Sequence, residues 1–160
     1  MHTLVVKLDA LLQRSDSDSM DWADGGGAEK AEEMLAALPE LAWPELEALC
    51  SSRNAAWRAC LVSILCPQHG ELAKYLMLEL AGDQDVDVAF LAVSSIAFYC
   101  GVNDSTKETF VDLSIQDASF LSLAKAKVGL TSYIHRVRAS SHTLFQKRFE
   151  VLAQMLESDT

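Results

Sequence analysis

Residues 71–100 read ELAKYLMLELAGDQDVDVAFLAVSSIAFYC. Leu72, Leu76 and Leu80 recur every four positions, with Tyr75 and Leu78 beside them, so the first third predicts an amphipathic helix. Gly82 is expected to end it in the left-handed C′ conformation, where glycine meets no Cβ penalty. Asp83 and Asp85 follow as candidate caps for a second helix. That second run places Val88, Leu91, Ala92, Ile96 and Tyr99 on one face, and Phe90, Val93 and Ala97 on another. A helix apolar around most of its circumference needs neighbours on both sides. The expectation is a chain that stacks helices on either side of this pair.

The same helical period recurs on either side of this stretch. Leu4, Leu8, Leu11 and Leu12 predict a helix over residues 3–12, and Ala31, Met34, Leu35 and Leu38 predict another over 28–38. Between them, RSDSDSMDWAD and three glycines (residues 14–27) read as a mobile acidic loop, with Trp22 expected to pin it to the body. Pro44 suits the first turn of a helix that runs to Cys50. Asn54 is a plausible N-cap for the next, which residues 67–70 (PQHG) break. After residue 100, Ser105-Thr106-Lys107-Glu108 matches a capping box, so a helix carrying Phe110, Val111 and Leu113 is expected. A long helix over about 118–136 follows. A last one, starting at Ser140 or Ser141, is expected to bury Leu144, Phe145, Phe149, Leu152, Met155 and Leu156. No segment alternates like a strand, and the fold class predicted is all-α.

The totals narrow the function. A chain of 160 residues with half its residues apolar and a mean hydropathy of +0.12 is expected to fold as one domain, residues 1–160. No apolar run reaches the roughly 18 residues of a membrane span, so no membrane partner is expected. The first nine residues lack a basic n-region and a cleavage site, and no signal peptide is read. The four cysteines lie in apolar helical runs, the pattern of reduced, packed thiols. Together these predict a cytoplasmic protein. The net charge of −10 argues against a nucleic-acid partner, which needs a basic face toward phosphate. That charge is concentrated at one end. Residues 1–50 carry eleven acids and three bases, 51–100 five and three, and 101–160 seven of each. Solubility alone would account for an acidic excess, and so would a surface complementary to a basic partner.

The candidate chemical motifs fall short of sites. Asp83-x-Asp85-x-Asp87 has Val88 and Ser94 where a calcium loop needs Gly and Glu, so a helix cap is the better reading. Cys60, Cys66 and His69 lack the further ligands that would close a zinc site, and Cys66 with His69 lacks an orienting acid. Gly25-Gly26-Gly27 follows no strand and precedes no lysine of a phosphate loop. The only basic region is Lys125, Lys127, Arg136, Arg138, Lys147 and Arg148, with His135 at a helix end among them. No catalytic residue, metal or cofactor is expected.

A repeat is legible in the central region. In residues 83–96 a polar turn leads to Val88, Ala92 and Ile96; in residues 52–65 the layout returns with Trp57 in the Val88 place, 31 residues earlier. Residues 117–124 repeat it with Phe120 in that place. Over about residues 40–137 the chain resembles the HEAT-like repeats of the α-solenoid class. Leu76, Leu80, Asp83, Asp85, Val88, Ala92 and Ile96 carry the match, and Arg58 keeps the family's arginine, which is Ala89 one unit on. The resemblance implies a short right-handed stack of antiparallel helix pairs and a binding role. In size, charge and fold class the chain also resembles the immunity proteins of bacterial polymorphic and contact-dependent inhibition toxins. Those imply a non-enzymatic inhibitor that occludes a toxin domain with a basic face; a HEAT-like adaptor or regulatory subunit of an assembly is the alternative. The partner-binding candidates are then Asp16, Asp18, Asp21, Asp24, Glu29, Glu32 and Glu33, together with the turn acids Asp83, Asp85 and Asp87.

Overall fold

A computed structural model of the chain describes residues 1–105 and 108–158. Ten α-helices and one two-stranded sheet are formed among these residues. The chain divides into two compact units, Met1–Leu76 and Met77–Thr160, at a position where the sequence pattern marks no boundary.

The first unit holds α1 (Thr3–Gln13), α2 (Met20–Ala23), α3 (Gly27–Ala36), α4 (Trp43–Cys50) and α5 (Ala55–Ile64), and ends within α6 (Glu71–Leu80). Helices α1, α3 and α5 pack on one another. Val5, Leu8 and Leu12 of α1, Ala31 and Leu35 of α3, and Trp57, Cys60 and Leu61 of α5 are buried. One polar cluster is set into this core. The Asp9 carboxylate accepts from Arg53 Nε (2.8 Å) and Nη2 (2.6 Å), from Trp57 Nε1 (3.0 Å) and from Gln13 Nε2 (2.9 Å). The Arg53 hydrogen bond is the largest cause holding this carboxyl below its ordinary pKa, against the opposing effect of burial.

The second unit is built around α7 (Val86–Tyr99). Val88, Ala89, Ala92, Val93, Ile96 and Ala97 are all buried, because α7 has the strand β1 (Val102–Asp104), α8 (Ala118–Ala126), α9 (Leu130–Ser140) and α10 (Thr143–Glu157) around it. Phe90 meets Phe145 and Phe149 of α10 edge to face at centroid distances of 5.2 and 5.6 Å.

The turn before each of three helices is made the same way. Asn54 accepts from the Trp57 N–H (2.9 Å), Asp85 from Val88 (3.1 Å) and Asp117 from Phe120 (2.9 Å). In each case the residue three on from the cap is at most 1% exposed. A polar N-cap and a buried third residue thus recur at the positions where the sequence repeat places them, and each cap contributes about 1 kcal/mol.

Four local expectations are corrected. Gly82 is not left-handed; its small size matters instead, since a Cβ there would stand 2.7 Å from the Tyr133 ring. Among the described residues, 108–117 form no helix. β1 pairs antiparallel with β2 (Thr109–Val111), Val102 opposite Val111. The Ser105 hydroxyl does accept from the Glu108 N–H (3.2 Å), the bond of a capping box, but Ser105 N also donates to the Glu108 carbonyl (2.8 Å) and closes a hairpin. A β-branched and aromatic Thr-Phe-Val then favours strand. Thr106 and Lys107 of the expected box lie outside the described residues. The long helix over 118–136 breaks at Lys127–Gly129, because Gly129 takes φ +86° and restarts the chain as α9. Finally, α10 is capped by His142, and its buried face runs through Phe149, Leu152, Ala153 and Leu156; Leu144 is 74% exposed.

Candidate functional site

Residues 14–27, read from sequence as a mobile acidic loop, contain a one-turn helix and a hydrogen-bonded turn. The Asp16 carboxylate accepts from the Asp18 N–H (2.9 Å), an Asx turn, and the Asp16 carbonyl accepts from Ser19 N (3.0 Å) and Ser19 Oγ (2.8 Å). Ser19 in turn caps α2 through Trp22 N (3.1 Å). Trp22 is 4% exposed, and its indole N–H donates to Ser63 Oγ of α5 (3.1 Å). The glycines that follow allow α3 to start close by, since a Cβ on Gly25 would fall 2.7 Å from the Asp21 carbonyl. The segment therefore lies on its unit along a defined path. Beneath it is the Cys60 thiol, which burial first and the Asp16 charge second push up to about 11.

This path sets out seven of the ten predicted acids. Asp16, Asp18, Asp21, Asp24, Glu29, Glu32 and Glu33 are all exposed, and none is in an ion pair with a described residue. On α3, Ala31 and Leu35 face inward, which turns Glu29, Glu32 and Glu33 to the surface. Glu29 and Glu33 are one turn apart, a like-charge spacing that costs a helix about 0.2–0.5 kcal/mol. Arg14 and Lys30 share a surface cleft of about 410 Å³ with Asp16 and Asp21, yet neither forms an ion pair with a described residue.

The other three acids, in the second unit, are differently used. Asp83 accepts from Asp85 N (2.9 Å), and Asp85 accepts from Asp87 N (3.0 Å) and Val88 N (3.1 Å). Arg136 donates to the Asp83 carbonyl. Asp83 and Asp85 are half-buried parts of a helix cap, and only Asp87 is exposed. The bases of this unit are engaged locally as well. Lys127 pairs with Glu79, and Arg138 and Lys147 lie 3.8 and 3.9 Å from Glu150. Lys125 donates to the Ser158 carbonyl and Arg148 to that of Ser94.

A recess that the sequence reading missed lies in the first unit. Its 220 Å³ is lined by Leu38, Glu40, Trp43, His69, Glu71 and Leu72, with Gly70 among them. A 3₁₀ turn, Pro67–His69, places the imidazole. His69 Nδ1 accepts from Cys66 N (3.3 Å), so the ring proton sits on Nε2, and burial lowers its pKa toward the neutral form. The ring lies tilted at 35° to Trp43, centroids 6.4 Å apart. Glu71 gives one oxygen to Lys74 (2.6 Å), while Glu40 is exposed and in no ion pair with a described residue. The two lining segments are about thirty residues apart in the chain, so no short motif announces them; the clustered aromatic, proline and histidine residues at 43–44 and 67–69 are the only local signal.

Among the described residues no group of three or more His, Cys, Asp or Glu side chains is placed to hold a metal ion, and no helix is long and apolar enough to cross a membrane. Compared with known protein families, curated proteins and solved structures, the chain has no match.

Proposed function

We propose that the protein is a binding module that holds a basic protein partner against the acidic surface of residues 16–33. One observation carries this reading: seven exposed carboxylates stand there without ion-pair partners among the described residues, and the chain is folded so as to keep them displayed. Such a surface raises the rate of encounter with a positive face. Because Trp22 and the Asp16–Ser19 turn already order the segment, little conformational entropy remains to be lost on docking. Within this reading the protein is an immunity protein in the cytoplasm, and inhibition is occlusion of a toxin domain's working face, with no chemistry by this chain. The four cysteines, none in a disulfide among the described residues, are in keeping with that compartment. The three turns capped by Asn54, Asp85 and Asp117 support a scaffold of HEAT-like helix pairs. An adaptor subunit of a larger assembly would use the same surface, and the identity of the partner separates the two.

The test is a pull-down with the product of the adjacent gene, using the wild-type chain and a variant with all seven acids changed to lysine. The expected result is binding that weakens steeply with salt, as the Debye length falls to about 3 Å at 1 M, and that is lost in the variant. Unchanged affinity and unchanged salt dependence in the variant would overturn the proposal.

A further inference from the structure

We infer that the recess beside Trp43 and His69 receives one arginine side chain of a protein partner. This deepens, and rests on, the reading of the chain as a binder of a basic protein. The lining holds two carboxylates, Glu40 and Glu71, and no base; Lys74 engages one oxygen of Glu71 and leaves the other free to accept, and Glu40 is not neutralised by any described residue. His69 adds no positive charge, since its Nδ1 is occupied as an acceptor from the Cys66 N–H. The recess is thus an anionic cup, and a cation is what it lacks.

Shape and polarity narrow the cation to a guanidinium. The half-buried His69 ring, with the buried Trp43 indole 6.4 Å behind it, gives the lining a flat aromatic element, which favours a planar, weakly hydrated cation over a compact ammonium. Leu38 and Leu72 offer apolar surface for the methylene stem that leads to the charged head. Gly70 keeps the space open. Its φ of +121° excludes other residues, and a Cβ there would meet nothing within 4 Å. Leu41, next to Glu40, is 91% exposed, and an unburied leucine beside an anionic cup is the apolar neighbour that a docked chain would cover. An aromatic-walled pocket that takes an arginine is the arrangement in which interfaces concentrate their binding energy.

The probe is N-acetyl-arginine amide, with N-acetyl-citrulline amide as its uncharged isostere, titrated into the full chain while the Trp43 indole and His69 imidazole resonances are followed by NMR. The arginine compound is expected to shift both resonances saturably in the millimolar range, and the citrulline compound to leave them unmoved. In Glu40→Gln/Glu71→Gln, whose substitutions are at exposed positions and whose melting temperature is the check on folding, the apparent affinity is expected to fall at least fivefold. Equal shifts with both compounds, no saturation, or full affinity in the double variant would overturn the inference. None of the seven acids lines the recess, so arginine binding retained in the seven-lysine variant with loss of the partner overturns neither the recess nor the acidic surface, and arginine binding lost in the Glu40→Gln/Glu71→Gln variant alone tests the recess by itself.

Discussion

Two charged regions of this molecule are handled in opposite ways. In residues 125–148 each of six bases has in its own unit either a hydrogen-bond acceptor, as Arg148 has Ser94 O, or a carboxylate within 4 Å, as Arg138 and Lys147 have Glu150. In residues 16–33 seven acids have no ion-pair partner among the described residues, and two bases that share a cleft with two of them stay unpaired. Folding alone does not require the second arrangement. Repulsion along α3 opposes the helix, and a chain selected only for stability would place lysines between the glutamates. Charge that is neutralised where it stands is structural, whereas charge kept bare on an ordered segment is available to something else.

The comparison can be broken most directly at Trp22. Trp22→Ala removes a buried indole and its bond to Ser63, with an expected loss of about 3–5 kcal/mol in chemical denaturation and a rise in amide exchange over residues 15–27. If exchange there is unchanged, the acidic segment is not held by this anchor and the contrast loses its basis. Next is Asp9, an acid of the first unit with both oxygens hydrogen-bonded. Asp9→Asn at neutral pH is expected to cost about 2 kcal/mol, because Arg53 loses its charged acceptor. The folded carboxyl titrates below its unfolded value, so its contribution is present above about pH 4 and lost as the pH falls through the folded value. Urea denaturation curves of wild type and variant should therefore converge in acid.

Smaller effects sharpen the picture. Asp85→Ala should cost about 1 kcal/mol through loss of the cap, while Asp87→Ala, whose carboxylate makes no cap bond, should cost only about 0.3 kcal/mol through loss of its charge in the first turn of α7. Equal effects of the two would mean that the turn acids are not divided between cap and surface. Smallest is Glu33→Gln, which relieves the repulsion from Glu29 and removes a negative charge from the last turn of α3, and should stabilise by about 0.3 kcal/mol. A stabilising change that weakens partner binding would mark a residue retained for function.

Much of the local structure was legible because it is written in short patterns. Asn54 and Asp85 cap helices as the sequence predicts, and Trp22 is buried inside a polar stretch, where its isolation marked it as an anchor. The hairpin at 102–111 was not legible, because the serine-to-glutamate bond that begins a helix also closes a turn, and the choice rests with the strand-forming residues after it. Leu144 shows the same limit. A helical period identifies an apolar face, but whether the first turn of α10 has anything to cover it depends on the rest of the fold. Half of the candidate surface was visible as composition. The recess was not, since Trp43 and His69 meet only after two turns have folded back on each other.

Cys60 lies under the acidic segment, with the Ser17 N–H on its sulfur and Asp16 and Asp18 close enough to raise its pKa further. A thiol held at about 11 is almost entirely protonated at neutral pH and reacts slowly with alkylating reagents. It becomes a nucleophile when its cover lifts. A partner that clamps residues 15–19, which hold the Ser17 N–H against this sulfur, is expected to slow its alkylation.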